Sequence, residues 1–203
     1  VEAPAGFVVP EWAIEAYASI ARASGAVLHE CVEVHGWEVS ANGVHVRTSD
    51  GPLIGDGLVL TAGAWTQGLS RAPGLTIRPS RQVLGWVDAP AAAPVNKGQL
   101  PVWALELDDA SVLYGFPKVD GLPGPGGFKV ARHWAAETID PDDLDRCPRD
   151  ADAEDFMPHL ERFLPGAFGP VHDMKICLYG NSVDGHFRVG LHPSSERVVV
   201  AGG

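Results

Sequence analysis

Two short apolar runs that end in small residues constrain the fold of this chain most. They are Leu58-Val59-Leu60-Thr61-Ala62-Gly63 and Val198-Val199-Val200-Ala201-Gly202. A short run this apolar reads as a strand buried on both faces. A strand ending in Ala-Gly leaves its backbone bare, because glycine carries no side chain, and so lets a nucleotide approach closely. Either run alone is what any buried strand can look like. Two of them flanking one long inserted block are more suggestive.

The remaining elements are short. Residues 10–21 read as a helix, with Pro10 suited to its first turn and Ile14, Tyr17, Ala18 and Ala21 on one face. Gly25 ends it. Residues 26–30 read as a strand. Residues 32–40 and 44–48 alternate around Ala41-Asn42-Gly43, a strong hairpin signal. Gly51 and Gly55 break the chain again, and a helix follows Trp65 to Ser70. The composition shifts at Arg71-Ala72-Pro73-Gly74, a candidate domain boundary. Beyond it, strands are expected at 78–87, 102–107, 111–116 and 128–133, with a hairpin across Asp108-Asp109. Asp140 suits the N-cap of a short helix begun by Pro141. Residues 152–163 read as a second helix, limited or kinked by Pro158. Strands around Cys177 and Phe187 and at 197–201 complete an α+β pattern rich in antiparallel hairpins.

Charge and cysteine content exclude several classes of function. The net charge is −11, which argues against nucleic acid and anionic membranes as partners. No apolar run approaches the roughly 18 residues that span a bilayer. Three cysteines, Cys31, Cys147 and Cys177, are too few and too scattered for a disulfide framework or a zinc site, so a reducing compartment, the cytoplasm, is expected. No G-x-G-x-x-G follows a strand, and Gly121 to Gly127 carries two prolines and opens no helix, so it is no phosphate loop. His186 and His192 read as structural rather than as metal ligands. The chain opens on Val1 and closes on a strand running into glycines, so both ends read as cuts through a larger protein.

Two places carry chemistry. Cys177 lies in the strand-like run Met174 to Tyr179, with Tyr179 two positions on and therefore on the same face. Packing alone would make it a buried structural cysteine. In Phe128 to His133, Lys129, Ala131 and His133 share one face. A lysine in an apolar strand either snorkels to water or is a buried, functional cation.

Several segments occur in a characteristic order: Leu113-Tyr114-Gly115-Phe116-Pro117, Phe128 to His133, Ile139-Asp140-Pro141-Asp142, Phe163-Leu164-Pro165-Gly166-Ala167, Ile176-Cys177-Leu178-Tyr179, and Asp184-Gly185-His186-Phe187 followed by Leu191-His192-Pro193. Taken together, they resemble the monomeric sarcosine oxidase and N-methyltryptophan oxidase family of D-amino-acid-oxidase-like flavoenzymes. Leu60 to Trp65 resembles the family's second flavin motif, and Arg78 to Val83 the entry to its substrate domain. The likeness covers essentially the whole chain.

The resemblance implies an FAD-dependent amine oxidase that takes a secondary or primary amino acid to an imine and reduces O2 to H2O2. It implies FAD carried covalently by Cys177 as an 8α-thioether and contacted by Val34, Ala62, Gly63 and Trp65. Lys129 falls on the oxygen-activating lysine, and Tyr114, His133 and Tyr179 on substrate-pocket positions. The partners implied are an amino acid or amine and O2, bound by a monomer. Gly180 departs from the family, where sarcosine oxidase carries a hydroxyl side chain. On this reading residues 1–10 are a tail of the substrate domain, 11–76 and 184–203 belong to the FAD-binding domain, and 77–183 form the substrate domain. The fold is α/β in its FAD-binding part with a mixed-sheet substrate domain. Two alternatives stay open: a flavin-dependent dehydrogenase on the same fold, and a flavin-free binding module.

Overall fold

Pro10 opens helix α1 (Pro10–Ala23), as its fixed φ and missing N–H suit a first turn. The structure is a computed structural model that describes residues 5–133, 136 and 138–203. Strands β1 (Val34–Ser40), β2 (Gly43–Thr48) and β3 (Gly51–Gly55) form an antiparallel meander. Its first turn is the expected one, with Ser40 paired to Gly43. Gly43 has φ +128° and a Cβ there would strike the Gly55 carbonyl, so only glycine fits. Next come β4 (Leu58–Leu60), α2 (Thr66–Ser70), β5 (Ile77–Val87), β6 (Trp103–Glu106), β7 (Val112–Phe116) and β8 (Phe128–His133). After α3 (Met157–Phe163) the chain ends in β9 (Val171–Ser182), β10 (Arg188–His192) and β11 (Ser195–Gly202).

The described residues divide into two compact units. Unit 1 comprises Val1–Val27, Gln82–Ala136 and Asp145–Cys177, and unit 2 comprises Leu28–Arg81, Glu137–Leu144 and Leu178–Gly203. Helix α1 therefore groups with residues 82–136, where the sequence reading joins 11–27 to 28–76.

Unit 2 contains the two runs that opened the sequence analysis. They lie side by side: β11 pairs β4 in parallel, with Val198, Val199 and Val200 opposite Leu58, Val59 and Leu60. Leu60, Val198 and Val200 bury one face with Val44, against Trp37, Leu58, Leu69 and Leu75. Burial on both faces, as expected from the sequence, is not what unit 2 shows. Val59 and Leu191 flank Val199 in the ladder, and both are largely exposed. The indole of Trp37 donates to the Leu69 carbonyl at 2.8 Å and meets the buried His192 ring edge-on. His192 in turn reaches the Ser70 carbonyl through Nε2 at 3.0 Å, a structural role.

The sheet of unit 1 has the order β6-β7-β8-β5-β9, and β5 and β9 run on along the chain into unit 2. One face is core. Leu113, Val130, Phe128 and Val87 are essentially inaccessible, as are Phe156 and Leu160. The opposite face carries Trp86, Tyr114, Phe116 and Lys129, all half-buried. Strand alternation alone separates these two sets.

Three local expectations differ from the structure. Residues 26–30 form no strand; they follow helix α1 as irregular chain, with Val27 and Leu28 exposed and Cys31 at φ +58°. An extended segment becomes a strand only by pairing, and these residues pair with none of the described ones. Helix α1 turns Ala18 and Ala21 partly inward but leaves Ile14 and Tyr17 exposed, so its apolar face is not a buried one. Residues 51–55, expected only as a break, form β3. Pro158 does interrupt the 152–163 helix: a 3-10 segment ends at Asp155, and α3 restarts with Pro158 in its first turn.

Gly85 on β5 lies against the Phe156 ring, which a Cβ would strike. Gly85→Ala is expected to destabilise the protein by about 1–3 kcal/mol through overpacking, and Phe156→Leu in the same chain should recover part of it. Urea denaturation midpoints of the three proteins check this.

Candidate active site

Backbone pairing assembles the first group of predicted residues, all within unit 1. Lys129 on β8 has Phe116 of β7 as its partner on one side and Trp86 of β5 on the other. Its Nζ lies 5.2 Å from the Trp86 ring centroid and 5.3 Å from that of Phe116. Tyr114, two residues before Phe116, shares the face and meets the Phe116 ring edge-on at 5.9 Å. His133 ends β8 on this same face and is exposed. Cys177 on β9 is a free, half-buried thiol whose charged form interacts with Lys129. Tyr114, Lys129 and Cys177 thus belong to one constellation, with His133 at its edge.

The electrostatics of this constellation centre on the lysine. Burial pushes the Lys129 ammonium below its ordinary value, and the charges of Cys177 and Glu11 oppose the shift. No carboxylate lies within ion-pair distance of it among the described residues. The sequence alone showed neither Trp86 nor Phe116 beside it. Only the register of three strands, separated by loops of unequal length, brings them together.

The second group lies in unit 2. Val34, Ala62, Ala64 and Trp65 line a cavity of about 1170 Å³, with Glu33, Arg78 and Asp142 among its polar walls. Ala62 stands just beyond the carboxyl end of β4, where parallel strands leave ligand crevices. Gly63 has φ +54° and open space where a side chain would go. The Trp65 indole is fixed by donating to Asp142 Oδ1 at 2.7 Å. Asp142 sits on the turn that Asp140 caps by accepting from the Asp142 N–H at 3.0 Å. That turn is attached to β5 by the Ile139 N–H on the Pro79 carbonyl at 2.9 Å and by the Ser80–Thr138 bridge.

Tyr179 falls in unit 2, two residues past Cys177 on β9. Beyond it, Asn181 Nδ2 donates to the Arg78 carbonyl at 2.9 Å and to Ser80 Oγ at 2.8 Å, which fixes this end of β9. A Cβ on the intervening Gly180 would lie 3.0 Å from Ile77 Cγ2 and 3.3 Å from the Gly63 carbonyl. This chain therefore has little space for a side chain at that position.

A family model described as FAD dependent oxidoreductase (DAO) matches residues 1–203. The chain belongs to this family. It is 31% identical to monomeric sarcosine oxidase from Bacillus sp. (strain B-0618) over 208 residues, covering 100% of this chain and 52% of that protein. It is likewise 31% identical to N-methyl-L-tryptophan oxidase from Salmonella arizonae, covering 100% and 52%. Among solved structures, NikD, an unusual amino acid oxidase, superposes with a TM-score of 0.73 at 20% identity, over 94% of this chain and 50% of that one. L-proline dehydrogenase from P. horikoshii gives 0.75 at 16% identity, over 96% and 50%. These structural likenesses establish a D-amino-acid-oxidase-like α+β fold. The chain spans about half the length of the curated relatives it matches.

The DAO family implies FAD, and residues of unit 2 fit part of such a group. Bare backbone at Gly63, an apolar wall at Val34 and a fixed indole at Trp65 suit a nucleotide. Thr66 Oγ1, fully buried in the turn after Trp65, has no partner among the described residues.

The lowered Lys129 value has a consequence for stability. Between the folded and unfolded values the unfolded chain binds more protons, so the contribution of this site rises with pH through that window and is lost below it. The denaturation midpoint of the wild type is expected to gain on that of Lys129→Met as pH is raised from neutrality towards 10. A pH-independent difference would show that Lys129 is not desolvated.

Proposed function

We propose that the protein to which this chain belongs is an FAD-dependent amine oxidase. It takes a secondary (N-methyl) or primary amino acid to an imine and reduces O2 to H2O2. The observation that carries this reading is Lys129: a half-buried cation without a carboxylate partner among the described residues, on the sheet face that also bears Tyr114. When bound, FAD would supply the two-electron acceptor: the amine loses its α C–H and N–H bonds as the C–N single bond becomes C=N, and the two electrons and two protons end on O2 as H2O2.

Each residue has a role on this reading. Unit 2 is the FAD-binding part, where Val34, Ala62 and Trp65 of the cavity wall and the bare backbone of Gly63 hold the nucleotide. Unit 1 is the substrate part. Cys177, a free thiol on β9 beside Lys129, would tether the cofactor through its sulfur. Lys129 itself holds positive charge where oxygen gains negative charge, in a setting poor in water. Tyr114 and His133, on the sheet face that bears Lys129, serve the amine. The likeness to N-methyl-L-tryptophan oxidase supports an amino-acid substrate carrying an N-methyl group. A dehydrogenase reading fits the fold equally, but it leaves the placement of Lys129 without a purpose.

The test uses the full-length protein, precipitated with acid. Flavin colour and mass are expected in the pellet and lost from it in Cys177→Ser. Colour released to the supernatant removes the tether and keeps the flavoenzyme, and a colourless protein refutes the reading. Lys129→Met should slow reaction with O2 by about 10²–10³-fold, while anaerobic bleaching by substrate stays within a few-fold of wild type. Stopped-flow absorbance measures both.

A further inference from the structure

Lysine at the centre of a sheet usually escapes by reaching water, losing its proton or pairing with a carboxylate. Lys129 has a different arrangement. Its direct partners on both flanking strands are aromatic: Phe116 on β7 and Trp86 on β5. Directly opposed residues on neighbouring strands have Cβ atoms about 4.5–5.5 Å apart, so both rings stand against the lysine stem. The ammonium sits over both, 5.2 Å from one centroid and 5.3 Å from the other. Both distances are inside the roughly 6 Å reach of a cation–π contact. The rings are themselves supported. Phe116 takes edge contacts from Tyr114 and from Phe7, each with centroids 5.9 Å apart.

We propose that Trp86 and Phe116 are positioning residues for Lys129, two aromatic faces that grip its ammonium from adjacent strands and keep it charged and aimed off the sheet. The kinetic consequence rests on the oxidase reading above; the grip on the proton does not. The physical distinction is between a ring and an equally bulky aliphatic group. Both exclude water and confine the stem, but only the ring has a negative face that favours the cation. Removing a ring while keeping the bulk therefore leaves the desolvation in place and withdraws the attraction. Among the described residues, the other titratable groups around Lys129 are Cys177 on β9, Glu11 on α1, and Tyr114 and His133 on the same sheet face. None of them is changed in the test.

The experiment reads the proton on Lys129 directly. Wild-type holoenzyme, Trp86→Leu and Trp86→Phe are labelled with acetic anhydride across pH, and the peptide bearing Lys129 is quantified by mass spectrometry. The midpoint of reactivity is read, not its amplitude. Trp86→Leu should shift the deprotonation equilibrium about threefold to tenfold towards the neutral amine, and Trp86→Phe should stay within about twofold of wild type. Phe116→Leu, on the opposite strand, should repeat the downward shift and stands in if Trp86→Leu does not fold. An unchanged or raised midpoint in both leucine variants overturns the proposal, because the rings would then serve only as packing. In the same variants, the pH profile for reaction with O2 should follow the labelling midpoint, with KM for the amine unchanged. A shifted midpoint with an unmoved oxygen profile upholds the grip and instead refutes the oxygen role of Lys129.

Discussion

The parallel pairing of Leu58–Leu60 with Val198–Val200 is the constraint on which unit 2 depends. Strands this far apart in sequence pair only if their side chains gain more by burial than the intervening loop loses on closure. Leu60, Val198 and Val200 supply that gain, together with Val44 from the meander. The pairing also places Ala62 at the carboxyl end of its strand, where the cavity opens. Trp37 and His192 then tie the meander and β10 to α2 through the carbonyls of Leu69 and Ser70. These bonds satisfy backbone oxygens that α2, only five residues long, cannot satisfy within itself.

The unit 1 sheet divides its work between its faces. Phe128, Val130 and Leu113 make one face a packed core with Phe156 and Leu160. That core lets the alternate positions be spent on residues that pack poorly. A lysine, a tyrosine and two other aromatics are tolerated on the second face because the first already stabilises the strands. Between those two faces, the backbone leaves no freedom: a slip of one residue in β8 would exchange Lys129 for Val130 and destroy core and site together.

Much of this was legible in the residues. The Asn42-Gly43 turn, the β6–β7 hairpin, the cap at Asp140 and the break at Pro158 all rest on local chemistry, and each stands in the structure near where it was read. Cys177 and Lys129 were legible as odd residues in strands, although their meaning came from a family likeness. Two kinds of feature were not legible. Residues 26–30 have strand-forming composition, but pairing is a property of a partner and cannot be read from the segment itself. Trp86 and Phe116 could not be placed beside Lys129, because loop lengths at 88–102 and 117–127 conceal the register. The same holds for Asp142, whose bond to Trp65 joins residues 77 apart in sequence.

The β4–β11 ladder has one more consequence, for how such a protein can change over time. It closes a loop that contains most of unit 1, and the entropy of closing a loop grows only with the logarithm of its length. Doubling the enclosed segment would cost about 0.6 kcal/mol. The enclosed sheet can therefore gain or lose turns, lengthen loops such as 117–127 or exchange whole hairpins with almost no penalty to the ladder. A ladder of this kind persists while the segment it encloses is rebuilt.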